Sequence, residues 1–115
     1  MDLSARRAAY ARRLDEALRR ARDVLSQVEG VQRVSLFGSA ARGRRDLLTD
    51  LDLLVVWETD KPVVDRLRHL YGLLDTSVDL DVICYTPAEF RELREQPFLR
   101  RLTQDEVILY EKKSP

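Results

Sequence analysis

From Leu14 to Val28 the apolar residues Leu14, Ala17, Leu18, Ala21, Val24, Leu25 and Val28 recur at the spacing of one helix face. Arg12, Arg13, Arg19, Arg20 and Arg22 fall mostly on the other side, so the pattern predicts an amphipathic helix with Gly30 as its C-terminal stop. Val31 to Phe37 reads as a strand that runs into Gly38-Ser39-Ala40-Ala41-Arg42-Gly43. Glycine and serine permit a tight turn there, and Ala-Ala-Arg starts a short helix. A basic connection, Arg44 to Leu48, leads to a second strand from Thr49 to Trp57, whose continuous apolar end implies burial on both faces.

Asp60 is the expected cap of a following helix, with Pro62 in its first turn and Val63, Val64, Leu67, Leu70, Tyr71 and Leu74 turned inward. Val78 to Tyr85 makes a third strand. Thr86-Pro87-Ala88-Glu89 has the form of a capping box with proline at the first helical position, and Phe90 and Leu93 lie on that helix's core side. Pro97 ends it; Phe98, Leu99 and Leu102 suggest a short helical turn, and Val107 to Tyr110 a terminal strand. This order predicts an α/β (α+β) fold: a small mixed sheet of about four strands, covered by helices on one face and partly open on the other. With 115 residues and no repeat or low-complexity linker, the chain is expected to form one domain, residues 1–115.

Composition narrows the classes. Hydrophobic residues make up 44% and charged residues 35%, which excludes a disordered or fibrous chain. Lys and Arg together number 20, as do Asp and Glu, so no global field steers the chain to nucleic acid or a membrane. The charge is nonetheless lopsided, with an excess of about five basic groups before Thr49 and the reverse after it. No stretch approaches the roughly 20 apolar residues of a membrane span, and no hydrophobic signal core follows Met1, so a cytoplasmic setting is expected. The lone Cys84 lies in an apolar run and reads as core packing. His69 has no catalytic partner at suitable spacing and reads as a surface or boundary residue; Trp57 reads as strand-end packing. The arginine-rich first helix is interleaved with Asp15, Glu16 and Asp23, which favours a solvated face over a nucleic-acid surface.

The chemistry concentrates around the second strand. Asp50 and Asp52, two apart, would project from one face about 7 Å from each other and reach shared cations. Asp79-Leu80-Asp81 repeats the spacing in the third strand, and a third carboxylate converges if the two strands are neighbours. A carboxylate cluster without His or Cys suits Mg²⁺ bound together with a nucleoside triphosphate, and disfavours zinc. The Gly38-Ser39 turn would supply backbone N–H groups and a hydroxyl to the phosphates.

Gly38-Ser39-x-x-Arg42-Gly43, five residues, then Thr49-Asp50-x-Asp52 resembles the signature of the DNA polymerase β nucleotidyltransferase superfamily. Within it the chain resembles the minimal nucleotidyltransferases over nearly its whole length, including Val78 to Phe90 and the final Val107 to Glu111. The resemblance implies that Gly38 and Ser39 hold the triphosphate, with Arg42, Gly43 and Thr49 in the same nucleotide-binding motif. Asp50 and Asp52 would ligate metal, and Asp81 would ligate metal and help deprotonate the acceptor hydroxyl. Asp81 is chosen by its distance before Thr86-Pro87, although Asp79 points to the same face. Arg42 has two open readings, a phosphate contact or an ion pair with a nearby carboxylate. Thr49 replaces the commoner serine and keeps the hydroxyl.

The activity so implied uses two Mg²⁺ ions to transfer a nucleoside monophosphate, AMP from ATP in the first instance, to a hydroxyl on a partner macromolecule, releasing pyrophosphate. Minimal nucleotidyltransferases of this kind pair with HEPN-domain proteins as the antitoxin of a toxin–antitoxin system, so such a protein is the expected partner. Homo- and hetero-oligomers both remain open. Two rivals stand beside this reading: a catalytically silent nucleotide-binding antitoxin acting by contact, and a nucleotidyltransferase for a small molecule such as an aminoglycoside. No motif reads a base edge, so the choice of NTP is not fixed by the sequence.

Overall fold

A computed structural model describes residues 2–74 and 77–113. The chain runs α1 (Leu3–Leu25), β1 (Val31–Phe37), α2 (Gly38–Ala41), β2 (Leu51–Trp57), α3 (Val63–Leu73), β3 (Leu80–Tyr85), α4 (Pro87–Leu93), α5 (Pro97–Gln104) and β4 (Val107–Glu111). The sheet is mixed and four-stranded, in the order β3-β2-β1-β4. β1 runs antiparallel to β2 and β4, whereas β2 and β3 are parallel and are joined by the α3 crossover that a parallel pair requires. The expected mixed α/β class is what forms.

β2 is buried on both sides, as its apolar run predicts: Leu51, Leu53, Leu54 and Val55 have no exposed surface. Alternation divides them. Leu51, Leu53, Val55 and Trp57 pack with Leu14, Ala17 and Ala21 of α1 and Leu70 of α3. Leu54 and Val56 pack with Phe90 of α4 and Leu99 of α5. The expectation of helices on one face therefore holds for α1 and α3 only. The capping box at Thr86 and the break at Pro97 fold α4 and α5 back over the other face, where Phe90 and Leu99 find their apolar partners. On that second face Asp52, next in line after Leu54, stays partly exposed.

Several boundaries differ from the sequence pattern. α1 stops at Leu25 and is capped by Ser26, while Gly30 makes the turn into β1 with φ +93. Its carbonyl accepts the Glu58 N–H at 2.8 Å, and a Cβ there would lie 2.4 Å from the Glu58 carbonyl oxygen. Asp60 does not cap α3: the cap position is Pro62, with no side-chain bond to the helix. Val63 and Val64 are exposed rather than buried, because the first turn overhangs and the buried side of α3 begins at Arg66 and Leu70.

Buried Arg66 replaces part of the expected apolar stripe. Its Nε donates to the Lys61 carbonyl at 2.7 Å and its Nη1 to Glu89 Oε1 at 2.8 Å, tying α3 to α4 around the β3 edge. Glu89 also completes the predicted capping box, accepting from the Thr86 N–H at 2.8 Å while the Thr86 hydroxyl accepts from the Glu89 N–H at 3.2 Å. The Thr86 N–H, followed by the Arg66 guanidinium, holds the Glu89 carboxyl below its ordinary range. Along the same edge, the Tyr71 hydroxyl accepts the Val82 N–H at 2.8 Å, which blunts an otherwise open strand. Among the described residues no helix is long and apolar enough to cross a membrane.

Candidate active site

Antiparallel pairing sets Phe37, the last residue of β1, opposite Asp52 of β2, so the turn after β1 is built directly against this carboxylate. Gly38 occupies the turn at φ +74, where a side chain is strained. A Cβ at Gly38 would also fall 2.6 Å from Asp52 Oδ2. Backbone conformation and the approach of the carboxylate thus both require glycine, and they join the two halves of the sequence motif in space.

Parallel pairing then places Asp81 of β3 opposite Asp52, and strand alternation sends both side chains to the same face. Burial, followed by the negative charges of Asp81 and Asp50, pushes the Asp52 carboxyl above its ordinary range. These are the three carboxylates the sequence singles out. Both strands begin two residues later than their apolar patterns suggest, at Leu51 and Leu80, so Asp50 sits at the strand entry rather than within it. Asp79 also precedes its strand; its carbonyl accepts the Leu51 N–H at 2.9 Å and opens the β2–β3 ladder.

The donor set suits a hard cation, since three carboxylates share one sheet end with no competing His or Cys named among them. Among the described residues no group of three or more His, Cys, Asp or Glu side chains is placed to hold a metal ion. An ion held here would draw its remaining ligands from water and substrate oxygens, the usual situation for Mg²⁺.

The rest of the motif divides between site and support. Ser39 lies in α2, partly buried, and its carbonyl accepts the N–H groups of Arg42 and Arg44 at 3.1 and 3.0 Å. Arg42 is exposed, and its Nη1 meets Asp105 Oδ2 at 3.3 Å, so of its two readings the ion pair is the one formed here. Gly43 closes α2, its N–H donating to the Ala40 carbonyl at 3.0 Å.

Thr49, expected at the nucleotide, is fully buried instead. Its Oγ1 donates to Asp46 Oδ1 at 3.1 Å and accepts the Asp46 N–H at 2.9 Å, while its carbonyl accepts from the Tyr10 hydroxyl at 3.1 Å. Its part is to fix the entry to β2. The physical reason is that the 44–48 connection must fold back over α1, and a hydroxyl inside that turn satisfies backbone groups that burial would leave unpaired.

Sequence reading missed Arg45, which pins this connection. Its Nε donates to Asp15 of α1 at 2.9 Å and its Nη1 to the Ala40 carbonyl at 2.8 Å. Nothing in a five-residue spacer separates a pinning arginine from a solvated one. Also missed was a buried polar set between β1 and the α5–β4 turn, in which the Glu106 carboxylate accepts from both Arg33 and the Ser35 hydroxyl.

Comparison with known proteins bears on the family and the fold. A family model described as a nucleotidyltransferase domain matches residues 18–110. The Methanocaldococcus jannaschii protein named "Putative protein adenylyltransferase MJ0435" is 37% identical over 57 residues, covering 49% of this chain and 61% of that protein. The chain therefore spans less than two thirds of this curated relative's length. A Sulfolobus solfataricus crystal structure described as a "putative nucleotidyltransferase" shares the fold, with a TM-score of 0.55 at 22% identity over 85% of this chain and 83% of that one. A solved structure described as a "putative minimal nucleotidyltransferase" is 34% identical over 89% of this chain and 93% of its own, with a TM-score of 0.39. With the matched family model spanning the Gly38–Asp52 motif and the Asp81 strand, the chain belongs to the nucleotidyltransferase domain family.

Proposed function

We propose that the protein transfers a nucleoside monophosphate from a nucleoside triphosphate, AMP from ATP in the first instance, to a hydroxyl of a partner protein. The observation that carries this is the seating of Gly38 against the Asp52 carboxylate, with Asp50 and Asp81 acting on the same group. A triphosphate lying along the Gly38-Ser39 turn would bring its α-phosphorus beside these carboxylates.

In this reading Asp50, Asp52 and Asp81 would hold Mg²⁺, two ions by the family pattern, which when bound supply charge neutralisation on the triphosphate. Backbone N–H groups of the Gly38-Ser39 turn and the Ser39 hydroxyl orient the phosphates. Arg42 can leave its exposed pair with Asp105 at small cost, because such pairs are worth about 0–1 kcal/mol, and turn to phosphate. Asp81 accepts the acceptor's proton. Protein, rather than a small molecule, is the favoured acceptor because the Methanocaldococcus jannaschii relative carries the name of a protein adenylyltransferase. A HEPN-domain protein as that acceptor, with this chain as its antitoxin, rests on the motif resemblance alone.

Label transfer tests the proposal. The wild type and Asp52→Asn are incubated with each α-³²P-labelled nucleotide and Mg²⁺ in a source-cell extract, with γ-labelled ATP as the phosphorylation control. Label from the α position on one protein band, absent with the variant, is the expected result. A HEPN-domain protein co-purifying equally with Asp52→Asn and fully neutralised by it would instead establish action by contact.

A further inference from the structure

At the far end of the sheet face that carries Asp52 lies a second concentration of charge. Strand register sets Arg33 of β1 opposite Val56 of β2 and Glu111 of β4, four residues along from the Phe37–Asp52 pair. At about 3.3 Å per residue, that separation is about 13 Å. Phe90 of α4 packs on Val56, and a cavity of about 510 Å³ opens between α4 and the ends of β1 and β4. Arg33, Arg91, Arg94, Lys112 and Lys113 lie on its wall with one carboxylate, Glu111. A smaller cavity of about 330 Å³ adjoins it and shares Arg33, Phe90 and Arg94.

The fold itself uses few of these cations. Arg91 of α4, and Lys112 and Lys113 beyond β4, are exposed and have no side-chain hydrogen bond or ion pair among the described residues. The Arg94 Nε stands 3.9 Å from Glu95, with both side chains exposed. Arg33 is paired with Glu106, yet its Nε is buried without an acceptor among the described residues. The guanidiniums of Arg33 and Arg94 both lie over the Phe90 ring, 5.4 and 5.7 Å from its centroid. Like charges gathered on a concave wall raise the local positive potential and draw an anion to it.

We propose that this cavity is an anion site separate from the carboxylate cluster, and that its ligand is a compact molecule carrying several phosphate groups. Arg91 and Arg94 bring planar forks that match phosphate oxygens, and Lys112 and Lys113 add point charges from beyond β4. A volume of about 510 Å³ is that of a small-ligand pocket. A nucleic-acid strand fits the site less well. Its bases need exposed aromatic platforms, and Phe90, the one aromatic residue on either wall among the described residues, is 7% exposed. Nor do the cations continue into a track, since α1 and its arginines lie on the other side of the sheet. The nucleotidyl-transfer reading uses none of these residues, so the two proposals stand or fall separately.

The test is equilibrium binding of myo-inositol hexakisphosphate, measured in EDTA without nucleotide, to the intact chain and to Arg91→Gln, Lys112→Gln and the double variant. Both residues are exposed and unpaired among the described residues, so the fold does not depend on them, and unchanged thermal unfolding checks this. They sit on different elements, so only a ligand seated between them loses affinity in both variants. Each single variant should bind about tenfold more weakly. The double variant should bind about a hundredfold more weakly. Arg19→Gln, on the exposed side of α1, controls for net charge and should bind like the wild type.

Wild-type affinity in the double variant overturns the proposal, as does an absence of binding by the wild type. An equal loss in Arg19→Gln also overturns it, because binding would then follow net charge alone. Loss confined to Arg42→Gln would place the ligand at the Gly38 turn, and citrate binding as tightly as the hexakisphosphate would assign the cavity to carboxylates; either result refutes the assignment. A single-stranded oligouridylate that binds through Arg91 and Lys112 and resists displacement by the hexakisphosphate would make the surface a nucleic-acid site, and that too would overturn it.

Discussion

Gly38→Ala is the sharpest single perturbation this structure offers. A non-glycine residue at φ +74 is strained by about 1–2 kcal/mol. The added methyl also falls 2.6 Å from Asp52 Oδ2, so the carboxylate or the turn must move. Forced repacking of that kind costs about 1–3 kcal/mol, and alanine recovers about 0.5–1 kcal/mol by restricting the unfolded chain. The net destabilisation is about 1–4 kcal/mol, which for a domain of this size lowers Tm by on the order of 10 °C. Because the displaced group is a candidate metal ligand, transfer should fall further than stability alone explains, by about 100-fold for a shift of about 1 Å.

Gly30→Ala is the matched control. It has a positive φ of +93 and a Cβ position 2.4 Å from the Glu58 carbonyl oxygen, at the opposite end of the sheet from Asp52. It should lower Tm at least as much while leaving transfer per folded molecule unchanged. Thermal unfolding and kcat/KM are measured at a temperature where both variants remain folded. Gly38→Ala with kcat/KM within about threefold of wild type, or a parallel activity loss in Gly30→Ala, would refute the view that Gly38 is kept for Asp52.

Three further outcomes follow from other contacts. Asp81→Asn should abolish α-label transfer, whereas Asp79→Asn should retain it, because Asp79 contributes its carbonyl to the β2–β3 ladder; the reverse result would move the third carboxylate to Asp79. Glu89→Gln should cost about 1–2 kcal/mol at pH 7, solvent access to its 38%-exposed side chain reducing what a buried pair would lose. Since the folded-state pKa of Glu89 is depressed, this contribution is complete above its ordinary value of 4.5 and is lost as the pH falls through the depressed one. Wild type and variant should therefore converge in Tm in acid; a constant difference down to pH 2 would contradict the ion-pair account. Burial pushes the Cys84 thiol up to about 11, so at pH 8 the native protein should resist a thiol-disulfide reagent that modifies the unfolded chain fully, and rapid native reaction would refute its burial.

The strands were legible because their signal is local. Two-sided burial of β2 follows from an unbroken apolar run, and the capping box at Thr86 from four consecutive residues. Position within a helix was less legible. The pattern that placed Val63 and Val64 inward counts periodicity correctly, yet it does not reveal that the first turn of α3 overhangs the buried surface. Nor does it show that a charged residue, Arg66, fills a core position once Glu89 of another helix pairs with it.

For the candidate site the sequence by itself determined the residue types: oxygen ligands, a glycine-serine turn and their spacing along the chain. Those are chemical identities, and linear distance is enough to recognise them. Only the tertiary structure decided which groups meet. Strand register set Asp81 beside Asp52 and Phe37 opposite it, seating Gly38 on the carboxylate, and turned Thr49 inward to Asp46. Pairing between strands and the return of a helix across a sheet are non-local choices, fixed by the burial of whole apolar faces, so no short stretch of sequence contains them.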